Sequence, residues 1–245
     1  MKSKDDPIFY VPRSREAEMA SCLAHELRNP LTTIRTCLEM LDKSSGDVFE
    51  DSDLRALSFI KTETDRLETV IHDILFCSRD CSVEPTQISL NRVLSSVVRA
   101  LRAKPDLQGL QIGLTMNGAA MVVGNSLQLE RMIENLVINA AQAIDESGKV
   151  EIVLNSAENH GSHVVRIRDN GPGVPADLRA RIFDAFVTGK TEGIGLGLSI
   201  CSRIALAHGG RILLNENWAP GCEFVVELPV DESRESSGML QGMEA

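Results

Sequence analysis

Apolar residues recur every three or four positions in the first third of the chain, which is the spacing of a helix with one buried face. The first seam comprises Met19, Leu23, Leu27, Leu31, Ile34, Leu38 and Leu41. The second comprises Leu54, Leu57, Ile60, Thr64, Leu67, Ile71, Ile74 and Leu75. A polar stretch containing Gly46 separates them and predicts the end of the first helix. The pattern predicts a helical hairpin over residues 13–80.

A single hairpin of this kind cannot bury both of its apolar seams. Two hairpins packed into a four-helix bundle would bury them, so the pattern predicts a homodimer. Ahead of the hairpin, residues 1–12 contain Pro7 and Pro12 and are predicted to be an irregular leader.

Beyond a predicted linker at residues 81–87, which contains Pro85, short alternating segments replace the long helical pattern. Strands are predicted at Gln111–Met116, Met121–Val123, Val150–Asn155, His163–Asp169, Arg211–Asn215 and Phe224–Leu228. Helices are predicted at Leu90–Leu101, Ser126–Ile144 and Leu198–His208. Antiparallel strands with helices on one face predict an α+β sandwich over residues 88–232, followed by a disordered tail at residues 233–245.

Composition narrows the classes of function. The 245 residues carry a formal net charge of −10, which argues against a general binder of nucleic acid or of anionic membranes. No apolar run approaches the ~18 residues of a membrane span, and the N-terminus lacks the apolar stretch of a signal peptide. The six cysteines are scattered without paired metal-ligand spacing. Reduced thiols in a cytoplasmic protein are therefore predicted.

The segment AHELRNPL at residues 24–31 contains a candidate nucleophile. At about 100° per residue, His25 points away from the seam and is expected to be exposed. Glu26 could hydrogen-bond its ring or accept its proton. Asn29 lies one turn further along the same face and could position a water molecule, and Pro30 predicts a kink. A surface histidine beside a charged residue would give the same local pattern.

Two asparagines on the predicted helix 126–144 are candidate ligands for a metal–nucleotide complex. Asn135 and Asn139 are four residues apart, so their amides project from one face. Side-chain amide oxygens suit Mg²⁺, a hard cation that commonly bridges phosphates. A helix that merely exposes two amides is the alternative interpretation.

The segment RDNGPGVP at residues 168–175 ends a predicted strand in a glycine turn. Asp169 could accept a hydrogen bond from an exocyclic amine, and Gly171 and Gly173 would let the backbone approach a flat base closely. An ordinary hairpin-like turn would also use these residues.

A second glycine-rich segment, IFDAFVTGKTEGIGLGLSI, spans residues 182–200. Its glycines open a helix whose free N–H groups suit phosphates, and Lys190 is the expected cation for the terminal phosphate. Residues 187–192 are predicted to form a short lid. A Walker A motif is excluded because Asp184 occupies its first glycine position, and a GxGxxG motif is excluded because Leu198 occupies its third.

Together these segments resemble the sensor histidine kinases of two-component systems. HELRNPL resembles the H box, ENLVINAAQAI the N box, RDNGPGVP the DxGxG box, and Phe183 and Phe186 the F box. The resemblance covers Met19 to Pro229 and implies a HisKA-type dimerisation and phosphoacceptor hairpin followed by a GHKL (Bergerat-type) α/β ATP-binding domain. The combination looks most like the nitrogen-regulation subfamily.

The resemblance implies autophosphorylation of His25 with ATP and Mg²⁺, followed by transfer to an aspartate of a response regulator. Glu26 and Asn29 match the motif tied to phosphatase activity, which implies a bifunctional enzyme. Asn139 is the implied Mg²⁺ ligand. The implied nucleotide-binding residues are Asn135, Asn139, Gln142, Asp169, Gly171, Gly173, Phe183, Phe186, Lys190, Gly193, Gly195, Gly197 and Leu198. Gln142 stands where many members have Lys, and Cys222 stands where many have Thr.

Two other functions stay open at this point. A phosphotransfer scaffold with a degenerate nucleotide site would keep the fold without the kinase activity. An ATP-driven clamp of the same superfamily, such as a chaperone or mismatch-repair ATPase, would lack the preceding hairpin and usually has Glu where Asn135 stands.

Overall fold

The structure, a computed structural model, describes residues 27–41, 51–78, 86–144, 148–156, 161–189 and 195–231. The chain divides into two compact units, with a boundary between Leu75 and Phe76. A search of the described helices finds none with the length and hydropathy needed to cross a bilayer.

Two helices form the first unit. Helix α1 covers residues 27–41, and α2 covers Asp51–Ser78. The described part of α1 continues through Pro30, which is buried. Both predicted helices are confirmed where the structure describes them, whereas the loop that contains Gly46 lies outside the described residues.

The hairpin seam is only partly covered within one chain. Cys37, Ala56 and Val70 are buried. In contrast, several large apolar side chains of the two helices are between 42% and 61% exposed: Leu31, Leu38, Met40, Leu54, Leu57, Phe59 and Ile71. The described hairpin therefore presents an apolar surface that the other described residues do not cover.

The second unit alternates short strands with helices. Its strands are β1 (Thr86–Ser89), β2 (Gln111–Asn117), β3 (Met121–Gly124), β4 (Lys149–Asn155), β5 (Ser162–Asp169), β6 (Arg211–Leu214) and β7 (Glu223–Pro229). Its helices are α3 (Leu90–Arg102), α4 (Ser126–Ala143), α5 (Ala176–Arg179) and α6 (Gly197–Ala207), with a 3₁₀ turn at Pro105–Leu107.

Five strands form one sheet in the order β2-β4-β5-β7-β6. Neighbours from β4 to β6 are antiparallel, as the sequence predicted, but β2 and β4 are parallel. The sheet is therefore mixed. The reason is the connection through β3 and α4, a crossover that returns the chain in the same direction. The alternation of residues within a strand carries no information about that direction.

The predicted linker needs one correction at its end. Thr86 and Gln87 belong to β1, which pairs antiparallel with β3 through Thr86–Gly124 and Gln87–Val123. Residues 81–85 lie outside the described part of the chain. The short strand escapes sequence analysis because only Ile88 among its four residues is buried, so no alternation is visible.

The core lies between the five-stranded sheet and helices α3, α4 and α6. Strands β4 and β5 alternate buried and half-buried residues along their length, which gives the sheet one inner face. Side chains cap two of these helices: Ser89 accepts a hydrogen bond from the N–H of Arg92, and Asn125 accepts one from the N–H of Gln128.

Candidate nucleotide-binding site

Helix α4 carries the two asparagines toward the glycine-rich segments. Asn135 and Asn139 are both half-buried, and Gln142 is exposed near the C-terminal end of the helix. The side-chain nitrogen of Asn135 is buried yet has no hydrogen-bond partner among the described residues. Buried polar atoms are normally satisfied, so this amide has capacity for a group that the protein itself does not supply.

Asp169 ends β5 and is almost fully buried, at 7% exposure. Its Oδ1 accepts hydrogen bonds from the N–H of Gly171 at 2.9 Å and from the N–H of Cys222 at 3.1 Å. Oδ2 takes no part in these two bonds. The carboxylate is thus fixed by the backbone through one of its two oxygens.

Burial raises the pKa of Asp169, and the hydrogen bonds from Gly171 and Cys222 partly oppose this increase. A carboxylate in a dry site discriminates strongly between a ligand that donates a hydrogen bond and one that does not. This is the environment expected for reading an exocyclic amine.

Glycines surround Asp169 because side chains would collide with backbone. A Cβ on Gly173, where φ is +78°, would lie 2.9 Å from the carbonyl oxygen of Gly221. A Cβ on Gly171 would lie 3.1 Å from the carbonyl oxygen of Ala143, at the end of α4. The glycine turn therefore packs closely on the helix that bears the asparagines.

Cys222 faces Asp169 from the start of β7. Its carbonyl oxygen accepts a hydrogen bond from the N–H of Asp169 at 2.9 Å. Burial, reinforced by the nearby negative charge of Asp169, raises the pKa of the thiol to about 12. The side chain therefore stays a neutral thiol at physiological pH, a weaker hydrogen-bonding group than a hydroxyl.

The two phenylalanines of the predicted F box have different roles. Phe183 packs edge-to-face on Phe224 of β7, with ring centroids 6.1 Å apart. Phe186 adopts φ of +67°, a conformation that is rare for an aromatic residue. Its N–H donates to the carbonyl oxygen of Gly195 at 3.0 Å. This bond joins the chain on the two sides of the predicted lid.

Helix α6 begins differently from α3 and α4. Its first residue is Gly197, followed by Leu198, and no side chain caps its N-terminus. The N–H groups of this first turn therefore have no side-chain acceptor. Such a terminus, reached through a glycine segment, suits a phosphate group.

The structure brings together most of the predicted nucleotide-binding residues in one unit, on α4, the β5 turn and the start of α6. Four predicted residues, His25, Glu26, Lys190 and Gly193, lie outside the described residues. Asn29 lies on α1, in the other unit, and is exposed. Its backbone carbonyl oxygen accepts a hydrogen bond from the hydroxyl of Thr33 at 3.3 Å. The role assigned to each of the predicted site residues stays a prediction.

The donors present fit ATP and Mg²⁺. The Asn135 amide nitrogen is unsatisfied, and Asp169 offers a buried carboxylate. Amide oxygens on α4 suit a magnesium ion that also binds phosphates. In the described part of the chain, no cluster of three His, Cys, Asp or Glu residues could hold a metal by itself.

Sequence reasoning missed a network beside the site. Arg168 and Glu223 form an ion pair, and the Arg168 guanidinium lies 4.4 Å from the ring centre of Trp218. These residues are far apart in sequence, so only the pairing of β5 with β7 brings them together. Nearby on α5, Nε of Arg179 donates to the carbonyl oxygen of Val174 at 3.0 Å.

Comparison with protein-family models gives two matches. Residues 15–80 match the His Kinase A (phospho-acceptor) domain. Residues 124–232 match the family described as histidine kinase-, DNA gyrase B-, and HSP90-like ATPase. The two matches follow the same order as the helical unit and the ATP-binding unit.

Individual proteins give the same pattern. The sensory histidine kinase/phosphatase NtrB of Azospirillum brasilense is 32% identical over 234 residues, which cover 90% of this chain and 57% of NtrB. The solved catalytic domain of histidine kinase ThkA is 32% identical with a TM-score of 0.54, covering 60% of this chain and 96% of that domain. ThkA in complex with response regulator protein TrrA is 30% identical with a TM-score of 0.69, covering 89% and 64%. The chain therefore spans little more than half the length of NtrB.

Proposed function

The chain belongs to the histidine kinase family, and we propose that it phosphorylates its own His25 with ATP and passes the phosphoryl group to an aspartate of a response regulator. The observation that carries this proposal is Asp169. Its carboxylate is buried and is held on one oxygen by two backbone N–H groups, beside a glycine turn that packs closely on the end of α4 and on Gly221.

Adenine recognition follows from this arrangement. The exocyclic amine of adenine donates to Oδ2 of Asp169, while the turn at Gly171 and Gly173 approaches the ring. A base that lacks the amine leaves Oδ2 of the buried carboxylate without this donor, which costs about 1–3 kcal/mol. ATP is therefore preferred over nucleotides whose base presents a carbonyl at that position.

The phosphates are bound from the helix side of the site. The N–H groups at Gly197 and Leu198, which the N-cap side chain does not accept, would donate to the phosphates, and Asn135 would donate from its unsatisfied amide nitrogen. Asn139 would hold Mg²⁺ through its side-chain oxygen. When bound, Mg²⁺ would neutralise negative charge that develops on the transferring phosphoryl group. Lys190 would contact the terminal phosphate.

The phosphoryl transfer itself needs a nucleophile and a proton acceptor. One ring nitrogen of His25 attacks the γ-phosphorus as the bond to the β-phosphate oxygen breaks and ADP leaves. Glu26 takes the proton from the imidazole or orients the ring through a hydrogen bond. The aspartate of the response regulator then displaces His25 from the phosphorus.

A homodimer through the helical unit completes the apolar packing. Leu31 and Leu38 lie one heptad apart on α1, and both are about half exposed, at 56% and 52%. Leu54, Leu57 and Ile71 add apolar surface from α2. Seven large apolar side chains on two adjacent helices exceed what an isolated hairpin tolerates, and a second copy would bury them as a four-helix bundle.

Phosphatase activity toward the phosphorylated regulator is the finer part of the proposal. The NtrB relative is named as both a histidine kinase and a phosphatase. Asn29 is exposed on α1, where its amide can orient a water molecule toward an acyl phosphate. The nitrogen-regulation subfamily is proposed on the same resemblance.

Incubation with γ-labelled ATP and Mg²⁺ tests the proposal. We expect an acid-labile label on the wild-type chain, no label on His25→Ala, and greatly reduced label on Asp169→Asn. The Asp169→Asn variant keeps an oxygen that can accept from Gly171 and Cys222, so it is expected to fold. Nucleotide titration of His25→Ala serves as the control and should give wild-type ATP affinity.

Three outcomes would reject the proposal. A label that persists in His25→Ala would place the phosphoryl group elsewhere. ATP hydrolysis without any label would favour an ATP-driven clamp. A wild-type chain that binds no ATP would favour a phosphotransfer scaffold with a degenerate nucleotide site.

A further inference from the structure

An ion pair joins β5 and β7 on the outer face of the sheet. The buried positions of β5 and β7 include Asp169 and Phe224, which lie on the inner face. Their neighbours Arg168 and Glu223 point to the opposite face and are directly paired across the two strands. Nevertheless, Glu223 is only 2% exposed.

The carboxylate of Glu223 is fully enclosed by specific partners. Nε of Arg168 donates to Oε2, and the side-chain nitrogen of Asn215 donates to Oε1 at 2.7 Å. The Trp218 ring covers the guanidinium of Arg168, whose central carbon lies 4.4 Å from the ring centre. A charge buried to this degree is tolerated only when its partners are well placed, so the arrangement has one geometry rather than the many of a surface pair.

This pair adjoins the residues that read the base. Asp169 follows Arg168, and Cys222 precedes Glu223. On the inner face, the N–H of Asp169 donates to the carbonyl of Cys222 at 2.9 Å, and the N–H of Cys222 donates to Oδ1 of Asp169 at 3.1 Å. A shift of either strand end at the outer pair would therefore displace both bonds on the inner face.

We propose that Arg168 and Glu223 are positioning residues for nucleotide binding, which act through the two strand ends to hold the Asp169 carboxylate against the Cys222 amide. The inference rests on the proposed function, because it takes Asp169 as the adenine contact. Trp218 and Asn215 close the pair from the loop between β6 and β7. None of these four side chains touches the nucleotide in this account.

The chain contains a matched control. Arg211 and Glu227 form a second pair across β6 and β7, with Nε of Arg211 2.7 Å from Oε2 of Glu227. Glu227 lies four residues beyond Glu223, on the same face of β7 but away from Asp169. A variant of this pair removes an ion pair, with a more exposed arginine and glutamate than Arg168–Glu223, from the same sheet without touching the strand ends at the site.

The test compares four proteins: the wild type, Arg168→Lys, the double variant Arg168→Met/Glu223→Leu, and Arg211→Met. ATP affinity is measured by calorimetric titration, autophosphorylation by its KM and kcat, and folding by thermal unfolding and by the emission of Trp218, the single tryptophan. The double variant removes both charges together, so it is expected to fold even if single removal does not.

We expect both Arg168 variants to bind ATP about tenfold more weakly, which corresponds to about 1.4 kcal/mol. KM should rise while kcat stays within about twofold, because the reacting groups are unchanged. Arg211→Met should keep wild-type ATP affinity. The double variant should be more thermally stable than a variant that lacks only one charge of the pair, but its ATP affinity should stay weakened.

Three results would overturn the inference: wild-type affinity in both Arg168 variants, an equal loss in Arg211→Met, or affinity that returns together with stability in the double variant. The last result would mean that the pair only stabilises the fold. A wild-type chain that fails to bind ATP would instead reject the proposed function, so the two failures are distinguishable.

Discussion

The helical unit and the ATP-binding unit differ in how completely they bury an apolar core. On α1 and α2, Leu31 and Leu54 are both 56% exposed. On the inner face of the sheet, Phe224 is 2% exposed and Ile152 is fully buried. The ATP-binding unit completes its core within one chain, whereas the described hairpin leaves much of its apolar surface uncovered.

This difference indicates a division of roles. A unit that is closed by itself can hold a nucleotide site in fixed geometry. A hairpin that needs a second copy can change its packing when the copy shifts, and that is the property expected of a regulated phosphoacceptor. The two units should therefore respond to different substitutions, and a substitution in one should leave the property of the other intact.

The largest expected effect is on the closed unit, from Gly221→Ala. Gly221 has φ of +99°, and a Cβ there would lie 1.9 Å from the carbonyl oxygen of Asp169. We expect the free energy of unfolding to fall by about 2–5 kcal/mol, from backbone strain together with the clash. Thermal unfolding and ATP titration would show lower stability and lost binding.

The matched control for this prediction is Gly161→Ala. Gly161 also has positive φ, at +69°, but nothing lies within 4 Å of its Cβ position. The Gly161→Ala substitution should lower the free energy of unfolding by about 1 kcal/mol, from backbone strain alone, and leave ATP binding unchanged. Equal losses in both variants would contradict the close packing of Gly221 on Asp169.

The next effect is on the open unit, from Leu38→Glu. Leu38 is 52% exposed in one chain, so its further burial in the dimer is worth about half of the 1.5–3 kcal/mol of a fully buried leucine. A symmetric dimer loses this contribution twice, so the dissociation constant of the dimer should rise at least about tenfold. Analytical ultracentrifugation measures this change. ATP affinity should stay at the wild-type value.

Thr36→Glu is the control for Leu38→Glu. Thr36 is exposed two residues earlier, on another face of α1, and the substitution adds the same charge. We expect it to remain dimeric. If both variants dissociate, helix charge rather than the leucine surface is responsible. If neither dissociates, the exposed leucines do not form the dimer interface.

A third prediction concerns the pH dependence of ATP affinity. Burial raises the pKa of Asp169, and only the ionised carboxylate accepts from adenine without a competing proton. Affinity should be complete above the raised pKa and should fall as the pH drops through it, by up to about tenfold per pH unit. The fall should begin at a higher pH than an ordinary aspartate, with its pKa of 3.8, would give.

Asp169→Asn isolates this effect from the titration of ATP itself. In this variant no proton can bind at position 169, so any remaining pH dependence belongs to the nucleotide or to other groups. Identical pH profiles in wild type and variant would contradict the role of the carboxylate. Calorimetric titration at several pH values is sufficient.

The smallest expected effect comes from Cys222→Thr. The thiol is buried and its pKa is raised to about 12, so it contributes only a weak neutral donor. A hydroxyl is a stronger hydrogen-bonding group and should improve ATP affinity by about two- to fivefold, corresponding to about 0.5–1 kcal/mol. Cys222→Ala is the matched control and should not improve it. Tighter binding by the alanine variant would assign the gain to packing.

Local patterns predicted the regular elements well. Leu90–Arg102 and Ser126–Ala143 follow the spacing of apolar residues, and β4 and β5 follow strict alternation. The parallel pairing of β2 with β4 and the short β1 were missed. Both depend on which distant segments pair, and a periodicity within one segment does not encode that choice.

The same distinction applies to the site. Asp169 with its glycines, and Asn135 with Asn139, could be predicted because each group lies within a few residues. The contacts that orient them could not. Cys222 donates to Asp169 across 53 residues of sequence, and Arg168 reaches Glu223 only through the sheet. The left-handed backbone of Phe186 could not be predicted from the sequence, because phenylalanine rarely adopts this conformation.

The most direct test of the whole account is the location of the phosphoryl group after the wild-type chain is incubated with Mg-ATP. Peptides are kept at neutral to alkaline pH, where a phosphorus–nitrogen bond survives, and are sequenced by mass spectrometry. We predict one modified residue, His25, and a greatly reduced modification in Asp169→Asn. A phosphoryl group on a serine, threonine or aspartate, or none anywhere, would contradict it.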